Sequence, residues 1–355
     1  MSALRAPRST GKVRPARLTD LAALGELSRL CQSDSADTRS LGLPVNGPRI
    51  GVFSLFRLPL GAFRPNDLMF VYEEDGRIAG LVRVERETVR DEWTIVELDA
   101  VGMANAGDIR YRLVQQLLRE GAKRGAARFH VACADADDNV ELLMQAGFMR
   151  YGEEQILFRA ADRPLPEVWP EERAAGCRIR STTALDALPL ARLYGLATPP
   201  PVARLEAIRL ADWERQGAHW RVPRSSLTPI LRFADVEGFV QTSVDGGKDG
   251  TQLDAFIQIG VAKEDQPHYL KVLARPEANV GDLVDFGLGV IAARTTKSSD
   301  HRHEHGVVAP VRTYESPVDR RLEEAGFESI ASVNLLMKET LVRVAEPALV
   351  PAGVR

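Results

Sequence analysis

The sequence predicts an α/β (α+β) fold made of two tandem copies of one domain, each a mixed, mostly antiparallel sheet flanked by helices. Three observations predict it. Three short anchors occur twice in the same order. Strand-like and helix-like periodicities succeed one another in the same way in both halves. A proline-rich stretch separates the halves.

The first anchor is Val13-Arg14, then Asp20 and Leu24, matched by Ile179-Arg180, then Asp186 and Leu190. The second is Ala104-Asn105-Ala106-Gly107-Asp108-Ile109, matched by Ala278-Asn279-Val280-Gly281-Asp282-Leu283. The third runs from Val140 to Ala146-Gly147-Phe148, matched by Val318 to Ala325-Gly326-Phe327. The offsets of 166, 174 and 179 residues grow steadily, as they should if the second copy carries loop insertions. A chain of 355 residues is long for one core and comfortable for two. The expected organisation is a flexible tail at 1–11, a first domain at 12–161, a linker at 162–175, a second domain at 176–345 and a tail at 346–355. Pro164, Pro166 and Pro170 deny the linker helix and sheet donors, so it reads as stiff and extended.

In the first copy a short strand lies near Val13. Asp20 opens a helix with Leu21, Leu24, Leu27 and Leu30 at helical spacing. Residues 33–66, rich in Gly, Pro and Ser, read as irregular. Met69–Glu74 and Ile78–Glu87 are strands around the Asp75-Gly76 turn, a hairpin signal. Trp93–Val101 is a third strand. A helix from Asp108 carries the stripe Ile109, Leu113, Val114, Leu117, Leu118 and ends at Gly125, a residue suited to the position after a helix end. Ala127–Ala132 is a strand, Val140–Gln145 a short helix stopped by Gly147, and Met149–Arg159 a last strand.

The second copy repeats the order. A helix covers Leu185–Leu196 until Pro199-Pro200-Pro201, and a second covers Val202–Gln216. Strands follow at Leu231–Val244, Gln252–Val261 and His268–Ala274. Then come a helix from Asp282, a strand at Val307–Arg312, a short helix at Val318–Glu324 and a strand at Ile330–Met337. Insertions are expected at 245–250 and 296–305.

Composition excludes several classes. The 46 basic and 49 acidic residues give a formal charge of -3, so nothing drives counterion release on nucleic acid or binding to an anionic membrane. No apolar run is long enough to span a bilayer, and the basic N-terminus lacks the apolar stretch of a secretory signal. Cys31, Cys133 and Cys177 lie too far apart for a disulfide framework or a metal site, which fits a cytoplasmic protein.

The run from Val101 to Ile109 leading into the long helix, and Leu142-Leu143-Met144-Gln145-Ala146-Gly147-Phe148, carry a resemblance to the GCN5-related N-acetyltransferase (GNAT) superfamily. In the second copy Arg275 to Leu283 and Arg321 to Phe327 carry it again. The resemblance covers nearly the whole chain, twice. It implies acetyl-CoA as cosubstrate and an amine as acceptor. In that family a glycine-bearing turn opens the long helix, and its N–H groups and dipole hold a pyrophosphate. The strand before it splays from its neighbour and pairs with the pantetheine arm. Carried onto this sequence, the cofactor residues are Val101 and Met103 at the strand end, Asn105, Ala106, Gly107, Asp108, Ile109 and Arg110 in the turn, and Asn139. Each turn departs from the family pattern in keeping one glycine and adding an aspartate, Asp108 or Asp282. Those aspartates read as helix N-caps, which would compete with phosphate. Arg110 and Arg112 offset the charge in the first copy, whereas Val284 and Asp285 stand near the second turn.

Glu97 and Asp99 alternate on the strand before the turn and share a face. They are the expected catalytic carboxylates, with a solvated or salt-bridged pair as the alternative. The second copy has Lys271 and Leu273 there. The tyrosine that many family members place four residues before the Gly of Gly-Phe is replaced by Leu143 and Leu322. Tyr111, Tyr151 and Tyr314 read as packing residues. His301-Arg302-His303-Glu304-His305 carries three imidazoles but no fourth ligand, so a solvated loop is expected and no metal. His130 reads as a satisfied core histidine. Trp213, Trp220, Phe53 and Phe56 read as core or inter-copy packing. The expected function is an N-acetyltransferase working from the first copy. A silent binding protein is the alternative. A tRNA-dependent transferase is disfavoured by the charge.

Overall fold

The computed structural model describes residues 11–33, 67–87, 90–101, 105–134, 138–166, 168–216, 226–227, 231, 233–243, 252–262, 267–296 and 305–340. Met103, Phe53, Phe56, Trp220, His301 to Glu304 and the expected tails at 1–10 and 346–355 lie outside the described residues.

The first half runs β1 (Lys12–Pro15), α1 (Leu21–Ser33), β2 (Asp67–Glu74), β3 (Arg77–Glu87), β4 (Glu92–Ala100), α2 (Ala106–Lys123), β5 (Arg128–Cys133), α3 (Asn139–Gln145) and β6 (Met149–Arg159). The second runs α4 (Glu171–Gly176), β7 (Ile179–Ser181), α5 (Ala187–Ala197), α6 (Pro200–Glu206), α7 (Leu210–Glu214), β8 (Phe233–Thr242), β9 (Leu253–Ala262), β10 (His268–Ala274), α8 (Gly281–Thr296), β11 (Val307–Arg312), α9 (Ser316–Glu324) and β12 (Glu328–Glu339). The sequence expects one helix over Val202–Gln216. Two form instead, because Ala207 turns into the left-handed region (φ 47°) and ends α6.

The anchors have physical reasons. Asp20 accepts both guanidinium nitrogens of Arg14 (2.7 and 2.9 Å) and the N–H of Arg17, closing the 3-10 turn before α1. Asp186 does the same with Arg180 (2.8 and 2.7 Å) and the N–H of Thr183. Such forked pairs fix geometry as well as charge. At the third anchor Gly147 and Gly326 take φ of +89° and +88°, and the N–H of Phe148 and Phe327 reach back to Leu143 O and Leu322 O. Glycine adopts that conformation without a Cβ penalty, so both short helices end alike.

The described strands form one twelve-stranded sheet in the order β1-β2-β3-β4-β5-β12-β6-β11-β10-β9-β8-β7. Each half is an antiparallel run followed by one parallel pair, β4 with β5 and β10 with β11. The two last strands are exchanged. β6 borders β11 of the second half, and β12 borders β5 of the first. The two then pair with each other, antiparallel, at the centre. The exchange reaches the cores. Leu336 of β12 packs in the first core with Leu113, Val114 and Phe129, and Leu157 of β6 packs in the second with Leu283 and Ile291.

The linker is not extended throughout. Pro170 caps α4, and Trp169, 9% exposed, packs edge-on against Phe286 with Arg173 stacked 3.8 Å over its ring. Burying that indole against the second half, with its cation stacked above, outweighs the freedom of a loose connection.

Candidate active site

The β4–β5 ladder runs only from Glu92↔Arg128 to Ile95↔Val131, after which the strands part. The register between β3 and β4 slips at the same place, from Val84↔Ile95 to Arg83↔Glu97, so Val96 is a bulge. A bulge bends and twists its strand, which turns the rest of β4 away from β5. The N–H of Val101 donates to Ala79 O at 2.9 Å, on the β3 side. Backbone groups alternate sides along a strand, so Leu98 and Ala100 present theirs to the open wedge.

Leu98 and Ala100 point their side chains into the core beneath α2. Glu97 and Asp99 therefore share the opposite face, and both are buried. Glu97 accepts Arg83 Nε at 2.8 Å, so of the expected alternatives the salt-bridged one holds for this carboxylate and the solvated one does not.

The turn into α2 differs from expectation. Asn105 occupies the N-cap position without a side-chain cap bond, and the helix starts at Ala106. Asp108 is its third residue, not its N-cap, and pairs with Arg112 at 2.9 Å one turn along. The first helical N–H groups therefore keep the orphan character of an uncapped helix start. A Cβ built on Gly107 meets nothing within 4 Å, and Ile109 is buried in the core. Arg110 is buried and donates to the Asn139 side-chain oxygen. The expectation that Arg110 faces phosphate is corrected to a buried tie between the start of α2 and the start of α3.

The second copy is built differently at each of these places. β10 parts from β11 after Tyr269↔Val308 but carries no bulge against β9. Lys271, 1% exposed, bridges the parted strands, donating to Pro310 O at 3.0 Å and to Glu315 at 2.7 Å. Asn279 Oδ1 accepts the N–H of Gly281 at 3.1 Å, so the turn caps itself. A Cβ on Gly281 would lie 2.8 Å from Arg321 Nε, and Arg320 and Arg321 line a cavity of about 470 Å³ over the turn. Asp282 is the second residue of α8 and takes no N-cap role, and its charge together with burial pushes the Cys177 thiol up. Val284 and, counted back from Gly326 rather than from the start of the anchor, Val318 are buried in the second core where Arg110 and Asn139 stand in the first.

Among solved structures, the chain is similar to a tandem GNAT protein from the clavulanic acid biosynthesis pathway, at 12% identity over 93% of this chain and 98% of that one, with a TM-score of 0.55. A GCN5-related N-acetyltransferase from Sphaerobacter thermophilus is similar at 16% identity over 93% and 95%, with a TM-score of 0.55. The chain has the tandem GNAT fold. No protein-family model and no curated protein matches it.

Within this tandem GNAT fold, Leu143 and Leu322 are buried in the two cores and supply no acid. Tyr111 is on the surface, while burial pushes the Tyr151 and Tyr314 hydroxyls up. Trp213 is core, its ring tilted against that of Tyr194. Among the described residues no group of three His, Cys, Asp or Glu side chains is placed to hold a metal, and no helix is long and apolar enough to cross a membrane.

Sequence reasoning missed the seam between the copies. Arg312 of β11 pairs with Glu154 of β6 at 3.3 Å and with Glu206 of α6 at 3.0 Å, all buried. Tyr194 donates to the other oxygen of Glu206. Burial pushes the Glu206 carboxyl up despite Arg312. Arg90, before β4, donates to the carbonyls of Glu206 and Ala207 at 3.0 Å each. Thus α6 of the second copy leans on the base of β4 in the first. The pairs made by Arg312 and Arg90 span 106 to 158 residues of sequence, so no local pattern announces them.

Proposed function

We propose that the chain is an acyl-CoA-dependent acyltransferase, most simply an N-acetyltransferase that moves acetyl from acetyl-CoA to an amine by direct attack. Residues 12–161 carry the working site and residues 176–345 a degenerate copy. The observation that carries this reading is the bulged, open wedge after Ile95, lined on the neighbouring face by buried Glu97 and Asp99, set against the wedge that Lys271 bridges in the second copy.

In this reading the pantetheine arm adds to the free side of β4 at Leu98 and Ala100, as a strand adds to an open edge. The turn at Met103, Asn105, Ala106, Gly107, Asp108 and Ile109 holds the pyrophosphate on N–H groups. Val101 and the Arg110–Asn139 tie set where the turn sits. Glu97 or Asp99 takes the proton of the attacking amine, and Arg83 fixes the Glu97 carboxylate. The amine acceptor and acetyl-CoA are the partners, and the cytoplasm is the compartment. Amine-dependent release of CoA thiol from acetyl-CoA tests the reading. It requires turnover in the wild type that a Glu97→Gln, Asp99→Asn double variant loses.

A second reading, a silent tandem binding protein, draws on the aspartate in both turns and on Leu143 and Leu322 in place of tyrosine. Saturable, amine-dependent turnover excludes it.

A further inference from the structure

The expectation for His130 was a satisfied core histidine, and the structure contradicts it. The side chain is 5% exposed, yet neither ring nitrogen has a hydrogen-bond partner among the described residues. A buried imidazole normally bonds through both nitrogens, and one that does not calls for an explanation. Glu92 Oε2 stands 3.6 Å from Nε2, outside hydrogen-bond range.

The position is informative. His130 pairs in register with Thr94, one step before the β4–β5 ladder ends at Ile95↔Val131. Phe129 and Val131 point into the core under α2, so His130 and Thr94 lie on the face of Glu97 and Asp99. Thr94 is half-buried, not sealed. Glu97 follows two ladder steps, about 7 Å, farther along the strand. The imidazole thus sits at the apex of the wedge, on the face of Glu97 and Asp99, with both ring nitrogens closed to solvent.

The second copy supplies an internal control. Its last ladder pair, Tyr269↔Val308, occupies the place of Thr94↔His130, and both residues are 0% exposed in an apolar cluster. The fold therefore fills this position with a valine where no wedge is open. It does not need a histidine.

We propose that His130, working from β5 opposite Glu97 on β4, is the group that first accepts the proton of the attacking amine in the first copy, and that Glu97 or Asp99 receives it from the imidazolium through water. The inference rests on the acyltransferase reading. The amine lone pair forms the N–C bond to the thioester carbonyl, and an N–H proton passes to the imidazole lone pair. The C–S bond breaks with its electron pair on sulfur, which takes a proton from water, and the imidazolium passes its proton through water to Glu97 or Asp99. Burial lowers the imidazole to about 4, against the pull of Glu206 from α6, with Arg90 and Arg128 lowering it further and Glu87 raising it. Glu92 faces it from β4. The ring is therefore neutral at neutral pH with its lone pair free, and as a weakened base it takes the proton only as N–C bond formation makes the N–H acidic.

The test uses the full chain with acetyl-CoA and three probe amines: spermidine, tyramine and a glycine-terminated peptide. Two variants are compared, His130→Gln and His130→Val, the second copying Val308. The expected result is loss of kcat on the order of 100-fold in both, with KM and acetyl-CoA affinity held within about threefold. Wild-type kcat in His130→Val overturns the proposal. Absence of acetyl-CoA binding in the wild type overturns the acyltransferase reading and this inference together. Binding without turnover of any probe leaves the decision to nitrogen-15 spectra of the acetyl-CoA complex. A neutral ring whose lone-pair signal moves on adding spermidine supports the role. An imidazolium at neutral pH, or a ring indifferent to all three amines, overturns it.

Discussion

Lys271 and Glu315 form a buried ion pair, 2.7 Å apart, across the gap where the parallel strands of the second copy part. In the first copy the same face carries Glu97, held sideways by Arg83 at 2.8 Å, and β4 is bulged beside it. One fold thus holds a wedge that a side chain bridges and one that none bridges among the described residues.

The bridge is structural, so breaking it costs stability. Lys271→Met leaves Glu315 buried without its ammonium, a loss of about 3–5 kcal/mol. Adding Glu315→Gln removes the stranded charge and recovers most of it. Urea unfolding of both variants checks this, and equal stability of single and double variants would count against the pairing.

Glu97 belongs to the proposed chemistry and not to cofactor binding. Glu97→Gln should lower kcat by roughly 10²–10⁴ while acetyl-CoA affinity holds. Steady-state kinetics beside calorimetry separates the two effects. A variant that loses affinity but keeps kcat would assign Glu97 to binding.

Much of the fold was legible before any coordinates. The strands Met149–Arg159, His268–Ala274 and Val307–Arg312 were bounded to the residue, because alternation and flanking turn residues are local signals. The Arg and Asp of the first anchor were legible as a repeat, but not as the forked ion pair that each copy makes of them. The exchange of β6 and β12 was not legible, because either strand satisfies the same alternation beside either neighbour. Nor was the break at Ala207, since alanine is a strong helix former and only tertiary contacts hold it left-handed. Of the candidate site, the shared face of Glu97 and Asp99 was legible from spacing. The N-cap roles of Asp108 and Asp282 were misread because Asn105 and Asn279, three residues earlier, already stand at the helix starts.

The two forked pairs give a pH dependence with a definite sign. Hydrogen bonds from Arg14 hold the Asp20 carboxyl below the usual range. At Asp186 burial pushes upward, but Arg180 and the Thr183 N–H outweigh it. A lowered folded value means that the stabilisation is present above the unfolded value of about 4 and is lost as pH falls through the folded one. Thermal midpoints of wild type and of an Asp20→Asn, Asp186→Asn double variant should therefore differ near neutrality and converge under acid. A gap that persists in strong acid would contradict the assignment.

The strand exchange makes the halves interdependent. A chain ended at Phe327 lacks β12, which lies between β5 and β6 and brings Leu336 into the first core. It should aggregate through those two uncovered edges. Residues 12–161 alone should fail in the same way. Size-exclusion chromatography and circular dichroism check both, and a monomeric, cooperatively folded 12–161 fragment would contradict the exchange.

The central claim is one working cofactor site per chain, in the first copy. Calorimetric titration of the full chain with acetyl-CoA tests it most directly. The account predicts one site, abolished by Gly107→Asp, which places a carboxylate in the open turn, and kept in Gly281→Asp. Two sites, or one site lost in Gly281→Asp and kept in Gly107→Asp, would contradict it.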